Sequence, residues 1–271
     1  MTDEKLYKGE ELNIITYNIR YDTWFDIFHP WRSRKKNVVD HILSMQCQII
    51  GIQEALPHQL EYLQENMKGF AYVGSGRRGN EKSEFTPIFY DLHRIELLQS
   101  KTFWLSEHPE VTGSLGWDAV IPRIVTWAMF RDNLTSKEFF VFNTHFANRG
   151  RIAKRESAKL LLKKVKEIAG SGPCLIIGDF NSFPSEEPVQ LMVDDCDPNH
   201  FIDAKTVSVK PHSGSEGTYT QFRSRAVDKE PIDFIFIKNG VSVLRHATRS
   251  ETGKGILSSD HFAVTATVII R

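Results

Sequence analysis

The chain has 271 residues, with acidic and basic side chains balanced at 34 each, so no global field steers it toward nucleic acid or an anionic membrane, although local basic patches can still do so. Its 41% hydrophobic content supports a core large enough for one sandwich or barrel domain over residues 1–271, with residues 1–10 read as a flexible N-terminus. No apolar run reaches the roughly 18 residues of a membrane span, the opening MTDEKLYKGEE carries no signal segment, and Cys47, Cys174 and Cys196 read as free thiols of a reducing, cytoplasmic setting.

Leu12 to Ile19 alternates apolar and polar side chains and reads as a strand with Asn18 near its end. The following loop to Pro30 holds Trp24, Phe25 and Phe28, which suit a pocket wall or a packed flap; ordinary loop packing explains them as well. Arg32 to Met45 reads as a helix on the apolar stripe Val38, Ile42 and Met45. Cys47 to Gln53 is a mostly apolar, hence central, strand that stops at Glu54. Pro57 opens the next helix, whose apolar face is Leu60, Leu63 and Met67. The stretch from Tyr72 to Gly79 and the KSEF that follows are turn-rich and charged.

Thr86 to Asp91, Ile95 to Leu105 and Arg123 to Phe130 read as strands by their β-branched and aromatic content. An arginine at a strand's first residue, Arg123, serves either a phosphate or a surface ion pair. Phe139 to Thr144 is a further strand, followed by His145. Arg149 to Ala169 is a helix with Ile152, Leu161, Val165 and Ile168 facing inward and a basic outer face, read as solvated rather than as a nucleic-acid surface. Cys174 to Ile177 is a buried strand that runs into Gly178, Asp179 and Asn181. A loop or short helix covers Ser185 to Asp197. Strands follow at Thr218 to Phe222, Ile232 to Ile237, Val241 to His246 and Phe262 to Ile270, with Asp260 and His261 just before the last. LNIITYN and LIIGDFN look alike, a hint of an internally duplicated two-sheet architecture.

The polar residues at strand ends are Asn18, Glu54, His145, Asp179, Asn181, Asp233, Asp260 and His261. A lone strand-end Asp is usually a turn former or cap. Gathered at the edges of apolar strands, these carboxylates, carboxamides and histidines suit Mg²⁺ or Mn²⁺ rather than zinc. No Gly-x-Ser-x-Gly elbow and no phosphate loop ending in Lys-Ser/Thr is present. A hard metal, a carboxylate to activate water, and His and Asn donors together point to phosphate-ester hydrolysis.

TYNIR (16–20), GIQEA (51–55), NTH (143–145), GDFNSFP (178–184), IDFIF (232–236) and SSDHFAV (258–264) together resemble the endonuclease/exonuclease/phosphatase superfamily, with the deoxyribonuclease-I-like fold. The resemblance implies an α/β four-layer sandwich, two mixed sheets packed face to face with helices outside. It implies Glu54 as principal Mg²⁺ ligand, Asp260 as an outer or second one, and Asn18 orienting water or phosphate. It also implies Asp179 as the base for the attacking water, with His145 and Asn181 as donors to the phosphoryl oxygens. His261 would contact the phosphate with its other nitrogen held by Asp233. EFTPIFY (84–90), FWLSE (103–107), GWD (116–118) and PRIVTW (122–127) resemble an uncharacterised metal-dependent hydrolase branch, which would place Arg123, Tyr90 and Trp117 at the substrate. Two blocks depart from family patterns: Ala55 and Leu56 replace the Thr-Lys of the abasic-site branch, and Phe146-Ala147-Asn148 replaces a Leu-Asp-His run.

The expectation is therefore a Mg²⁺-dependent phosphatase or phosphodiesterase, acting as a monomer on a small phosphorylated metabolite, nucleotide or sugar. The alternatives are a nuclease on DNA or RNA and a non-catalytic binding module.

Overall fold

A computed structural model describes residues 9–79, 82–250 and 257–271. The expected flexible segment 1–10 lies mostly outside these described residues. In chain order the elements are β1 (Leu12–Asn18), α1 (Trp31–Ser44), β2 (Ile49–Gln53), α2 (Pro57–Asn66), β3 (Phe70–Val73), β4 (Ile88–Asp91), β5 (Ile95–Trp104) and β6 (Ile124–Asp132). They continue with β7 (Glu138–His145), α3 (Arg151–Ala169), β8 (Cys174–Asp179), α4 (Glu187–Val193), β9 (Ile202–Asp203), β10 (Asp233–Lys238), β11 (Val241–Arg249) and β12 (Ala263–Ile270).

The strands form two six-stranded sheets, ordered β11-β12-β1-β2-β4-β3 and β5-β6-β7-β8-β10-β9. Read in opposite directions, the two orders match strand for strand. In each, a central parallel pair (β1 with β2, β8 with β7) is flanked by antiparallel neighbours. The similar LNIITYN and LIIGDFN fall on β1 and β8, which are equivalent in this scheme.

Four layers follow from where each element buries its apolar face. Between the sheets, Ile14, Ile49, Val264 and Val268 meet Phe130, Val141, Ile177 and Ile235. Val38, Val39 and Ile42 of α1 and Leu60 and Leu63 of α2 cover the outer face of the first sheet. Ala158, Leu161, Leu162 and Val165 of α3, with Val189 and Met192 of α4, cover the second. Gly51 allows the close approach of the sheets, because a Cβ there would stand 2.4 Å from Ile177 Cδ1. The carboxamides of Gln53 and Asn143 then bridge the sheets, Gln53 Nε2 donating to Asn143 Oδ1 at 2.7 Å.

The structure departs from the sequence reading at several places. Thr218 to Phe222 is not a strand: Gln221 and Phe222 turn into the left-handed region, and Tyr219 alone bridges to His261. Ile152 is 46% exposed rather than inward. It lies nine residues before the buried Leu161, half a turn round the helix axis. The loop aromatics are exposed rather than buried: Trp24 is 80% and Phe28 84% exposed, with Phe25 and Ile27 exposed beside them, and Trp24 stacks on Phe25 with ring centroids 4.0 Å apart. Only Trp31, on α1, enters the core.

Candidate active site

Strand direction brings the chemistry to one edge. β1 and β2 run parallel and end with Asn18 opposite Gln53, which presents Glu54 next. β7 and β8 run parallel and end with His145 opposite Asp179. β10 is antiparallel to β8, so its first residue, Asp233, also lies opposite Asp179. β12 is antiparallel to β1, so the residues before it, Asp260 and His261, arrive at the same edge. Gly178 fits β8 into this edge, because a Cβ there would stand 2.1 Å from the carbonyl oxygen of Thr144. Arg20, Glu54 and Asn181 all hold a positive φ, 58°, 66° and 47°. Such strain in non-glycine residues persists only where surrounding contacts over-determine it.

Asp179 is the hub. Its Oδ2 accepts Asn18 Nδ2 at 3.0 Å, and its Oδ1 accepts the backbone N–H of Asn181 at 2.8 Å. His145 Nε2 and His261 Nε2 stand 3.5 and 3.9 Å from Oδ2. On the far side of its ring, His261 Nδ1 donates to Asp233 Oδ2 at 2.9 Å. Burial first, and then the charge of Asp233, raise the Asp179 carboxyl above the ordinary carboxylate range. Burial works against a charged His261, yet Asp233, Asp179 and Asp260 outweigh it and push its pKa up to about 10. His145 moves the other way, held well below the ordinary histidine value by burial and by Arg123 and Arg77. The edge therefore pairs an imidazolium at His261 with a neutral imidazole at His145.

The opposite side is oxygen-rich. Glu54 Oε1 accepts Asn18 Nδ2 at 3.2 Å and Oε2 accepts the Tyr21 N–H at 3.0 Å, leaving further lone pairs on both. Asp260 is buried beside it, with Arg20 Nε at 3.8 Å from Oδ2. Arg20 itself is held by Asp26 at 2.9 and 3.1 Å. Carboxylates with a carboxamide, and no thiol, fit a hard divalent cation. A second acidic group, Asp179, Asp233 and His261, brings its ligand atoms within 4.8 Å of one another. There the His261 Nδ1–H is already directed at Asp233, so that group is engaged in a hydrogen-bond chain, and Glu54, Asp260 and Asn18 are residues that could hold a cation.

Asn181 Nδ2 spends one N–H on the Phe146 carbonyl at 3.0 Å, which leaves its second N–H for a ligand. Arg123 lies beside His145 with its guanidinium buried. One expected substrate residue, Tyr90, is elsewhere. Tyr90 is opposite Ile49, at the far end of β2 from Glu54, and its ring packs on Phe130 in the inter-sheet core. Trp117 packs with Ala119, Ala147 and Ala153 near the start of α3. The neighbouring Asp118 explains that motif: its carboxylate accepts the N–H groups of Ile152 and Ala153, at 3.3 and 2.6 Å, and so caps α3.

The site also contains residues that sequence reasoning missed. Tyr219 lies against the His261 ring, tilted 59° to it with the centroids 5.1 Å apart. Ser259 Oγ donates to the Asn18 carbonyl at 2.6 Å and accepts the His261 N–H at 3.2 Å, locking the loop before β12 to the end of β1. Arg77 and Glu84 form a largely buried pair on the hairpin that follows β3. The only early signal for these residues was the serine pair within SSDH.

The class this fold defines is the endonuclease/exonuclease/phosphatase sandwich. The chain belongs to the Endonuclease/Exonuclease/phosphatase family, whose model matches residues 15–261. The endonuclease/exonuclease/phosphatase from Bacteroides vulgatus is 35% identical and superposes with a TM-score of 0.91, covering 96% of this chain and 99% of its own. A mannosyl-6-phosphatase of Bacteroides thetaiotaomicron is 30% identical with a TM-score of 0.89, covering 96% and 100%. Protein angel of Drosophila melanogaster is 26% identical over 176 residues, 61% of this chain and 48% of that protein, so the chain spans about half the length of that relative.

Proposed function

We propose that the protein is a Mg²⁺-dependent hydrolase of small phosphorylated metabolites, with a sugar phosphate as the favoured substrate class, acting as a monomer in a reducing cytoplasm. The observation that carries this reading is the convergence of Asn18, His145, Asn181, Asp233 and His261 on Asp179. The full-length likeness to a mannosyl-6-phosphatase supports the sugar-phosphate class.

Asp179 accepts the proton of a water that attacks phosphorus in line while the opposite P–O bond to the alcohol breaks and the departing oxygen takes a proton from solvent; the raised pKa of Asp179 suits a base that works near neutral pH. His261, kept protonated by Asp233, donates to a phosphoryl oxygen through Nε2. Neutral His145 and the second N–H of Asn181 complete the donor set as charge builds on those oxygens. Glu54, Asp260 and Asn18 would hold a divalent cation, which would supply Lewis-acid stabilisation of the phosphoryl group. Asn18 links the two sides, since one Nδ2 touches both Glu54 and Asp179.

The nuclease reading is weaker. The basic face of α3 is largely paired within the chain, with Lys159 and Arg155 on Glu156 and Lys164 on Glu110 and Glu167. The test is a panel of phosphorylated sugars, nucleotides and short oligonucleotides with Mg²⁺, Mn²⁺ and chelator. Chelator-sensitive turnover of the small esters is expected. Oligonucleotide cleavage that falls steeply with salt, without small-ester turnover, would favour the nuclease.

A further inference from the structure

A cavity of about 960 Å³ lies between α2 and the hairpin that follows β3. Glu61, Gln64 and Glu65 line it from α2, where their spacing of three and four residues sets them on one face. Leu60 and Leu63 of the same helix are buried in the core. Three aromatic side chains complete the lining used here: Tyr72 from β3, Phe85 from the hairpin and Trp104 from the end of β5. Among the described residues no lysine or arginine lines the cavity. The lining is held in place. Trp104 Nε1 donates to the Arg77 carbonyl at 2.7 Å, Gln64 Nε2 donates to the Phe70 carbonyl at 2.8 Å, and the Tyr72 ring packs against Phe89 with centroids 5.1 Å apart.

The cavity adjoins the oxygen-rich side of the site. Phe85 donates its N–H to the Ala55 carbonyl at 2.8 Å, and Ala55 follows Glu54. His58, also in the lining, has its Nε2 3.0 Å from Asp22 Oδ2, and Asp22 follows Tyr21, whose N–H binds Glu54. The chemistry of the lining says what fits. A phosphate backbone would meet two carboxylates and no lysine or arginine. An acyl chain would cover both carboxylates without offering them a donor. A neutral polyhydroxyl chain suits both surfaces. The C–H faces of its rings lie on the aromatic side chains, and its hydroxyls donate to Glu61, Glu65 and Gln64 Oε1. The volume stands at the upper end of the range for small-molecule sites and exceeds what one hexose fills.

We propose that this cavity is a saccharide subsite and that the substrate is a phosphorylated oligosaccharide: the phosphorylated sugar reacts at Asp179, and the neutral sugars joined to it lie along α2. This rests on the hydrolase reading above and extends its substrate class from a free sugar phosphate to a phosphorylated glycan. Contacts that do not touch the phosphoryl group hold the ground state and the transition state alike, so they lower KM more than they raise kcat.

Two measurements test this, one of them without turnover. Neutral trisaccharides of mannose, glucose or N-acetylglucosamine, carrying no phosphate, are titrated into isotope-labelled protein and followed by NMR. At least one should shift the amides of Glu61, Glu65 and Tyr72 saturably. Its affinity should fall at least about 5-fold in the Glu61→Ala, Glu65→Ala double variant and in Tyr72→Leu. The trisaccharide that binds is then assayed with a phosphate on its terminal hexose, against the free hexose phosphate. Wild type should favour the trisaccharide by at least about 10-fold in kcat/KM, chiefly through KM, and the double variant should cut that preference below about 3-fold. Glu61 and Glu65 are exposed, so a thermal melt of the double variant should stay near wild type. Binding by none of the trisaccharides, no preference for the longer ester, or a preference that survives in the double variant would overturn the proposal. So would shifts of the same amides by a short oligonucleotide or by choline and by none of the sugars. If wild type hydrolyses neither ester, the hydrolase reading fails; the sugar titration still decides the cavity, and affinity unchanged in the double variant would overturn it.

Discussion

His261 donates its Nδ1 proton to Asp233 across 2.9 Å, and both side chains are buried. Because a carboxylate can only accept, this bond orients the imidazolium and turns its Nε2–H toward Asp179. The two residues therefore act as one unit. His261→Ala and Asp233→Asn should each lower kcat by roughly 10²–10³, and the double variant should be little worse than the poorer single. Steady-state kinetics on the four proteins measures this, and full additivity would separate the pair.

The backbone beneath Asp179 is as constrained as its side chain. Gly178 has φ 152° and no room for a Cβ against the Thr144 carbonyl. Gly178→Ala should cost more than about 2 kcal/mol in urea unfolding and displace the carboxylate, so that residual folded protein is impaired. A wild-type midpoint with wild-type turnover would show that the strand ends can shift independently.

A second histidine pair lies away from this edge. His212 Nε2 faces the Ser215 carbonyl at 3.1 Å and must donate there, so its Nδ1 accepts the Nδ1–H of His246 at 2.9 Å. Burial, then His212 and Lys205, push the His246 pKa down to about 3. A depressed pKa means the folded state binds its proton later than the unfolded chain does. Stability is thus complete above about pH 6.5 and declines as the pH falls from there toward about 3, by about 2 kcal/mol at pH 5. His246→Gln should remove that share of the acid slope, read as the difference from wild type in denaturant unfolding at pH 7.5 and pH 5. His145, shifted in the same direction, keeps a slope of its own in the variant.

The exposed Trp24 and Phe28 sit on the loop that leaves the site through Arg20 and Tyr21. Their rings support nothing in the core, so Trp24→Ser with Phe28→Ser should change stability by no more than about 0.5 kcal/mol. If the loop contacts the departing alcohol, KM should rise for esters with bulky leaving groups while kcat holds. Unchanged KM across a leaving-group series would remove the loop from substrate recognition.

Much of this site was legible before any coordinates. Asn18, Glu54, Asp179 and Asp233 each close or open an apolar run, and a strand's end is a place in space as well as in sequence. His145 and His261 followed for the same reason. Arg77 and Glu84 were not legible, because they belong to a charged, turn-rich hairpin whose only ordering signal is its pairing with Ala55, distant in sequence. Tyr219 was read as part of a strand, yet left-handed residues at 221 and 222 leave it a single bridge onto His261. Tyr90 shows the converse failure. A motif brought it toward the substrate, but β4 runs antiparallel to β2 and carries its last residues away from the edge where Glu54 stands.

The most direct test of the account is Asp179→Asn, assayed with a sugar phosphate and Mg²⁺ alongside a thermal melt. The side chain keeps its size and one oxygen, which can still accept the Asn181 N–H, but it turns an NH2 toward Asn18 and loses its capacity to take a proton. Turnover should fall by at least about 10³-fold, with Tm close to wild type, because the gain from removing a buried charge is offset by the acceptor that Asn18 loses. Retained turnover in a folded Asp179→Asn protein would contradict the assignment of Asp179 as the base, and with it the central claim.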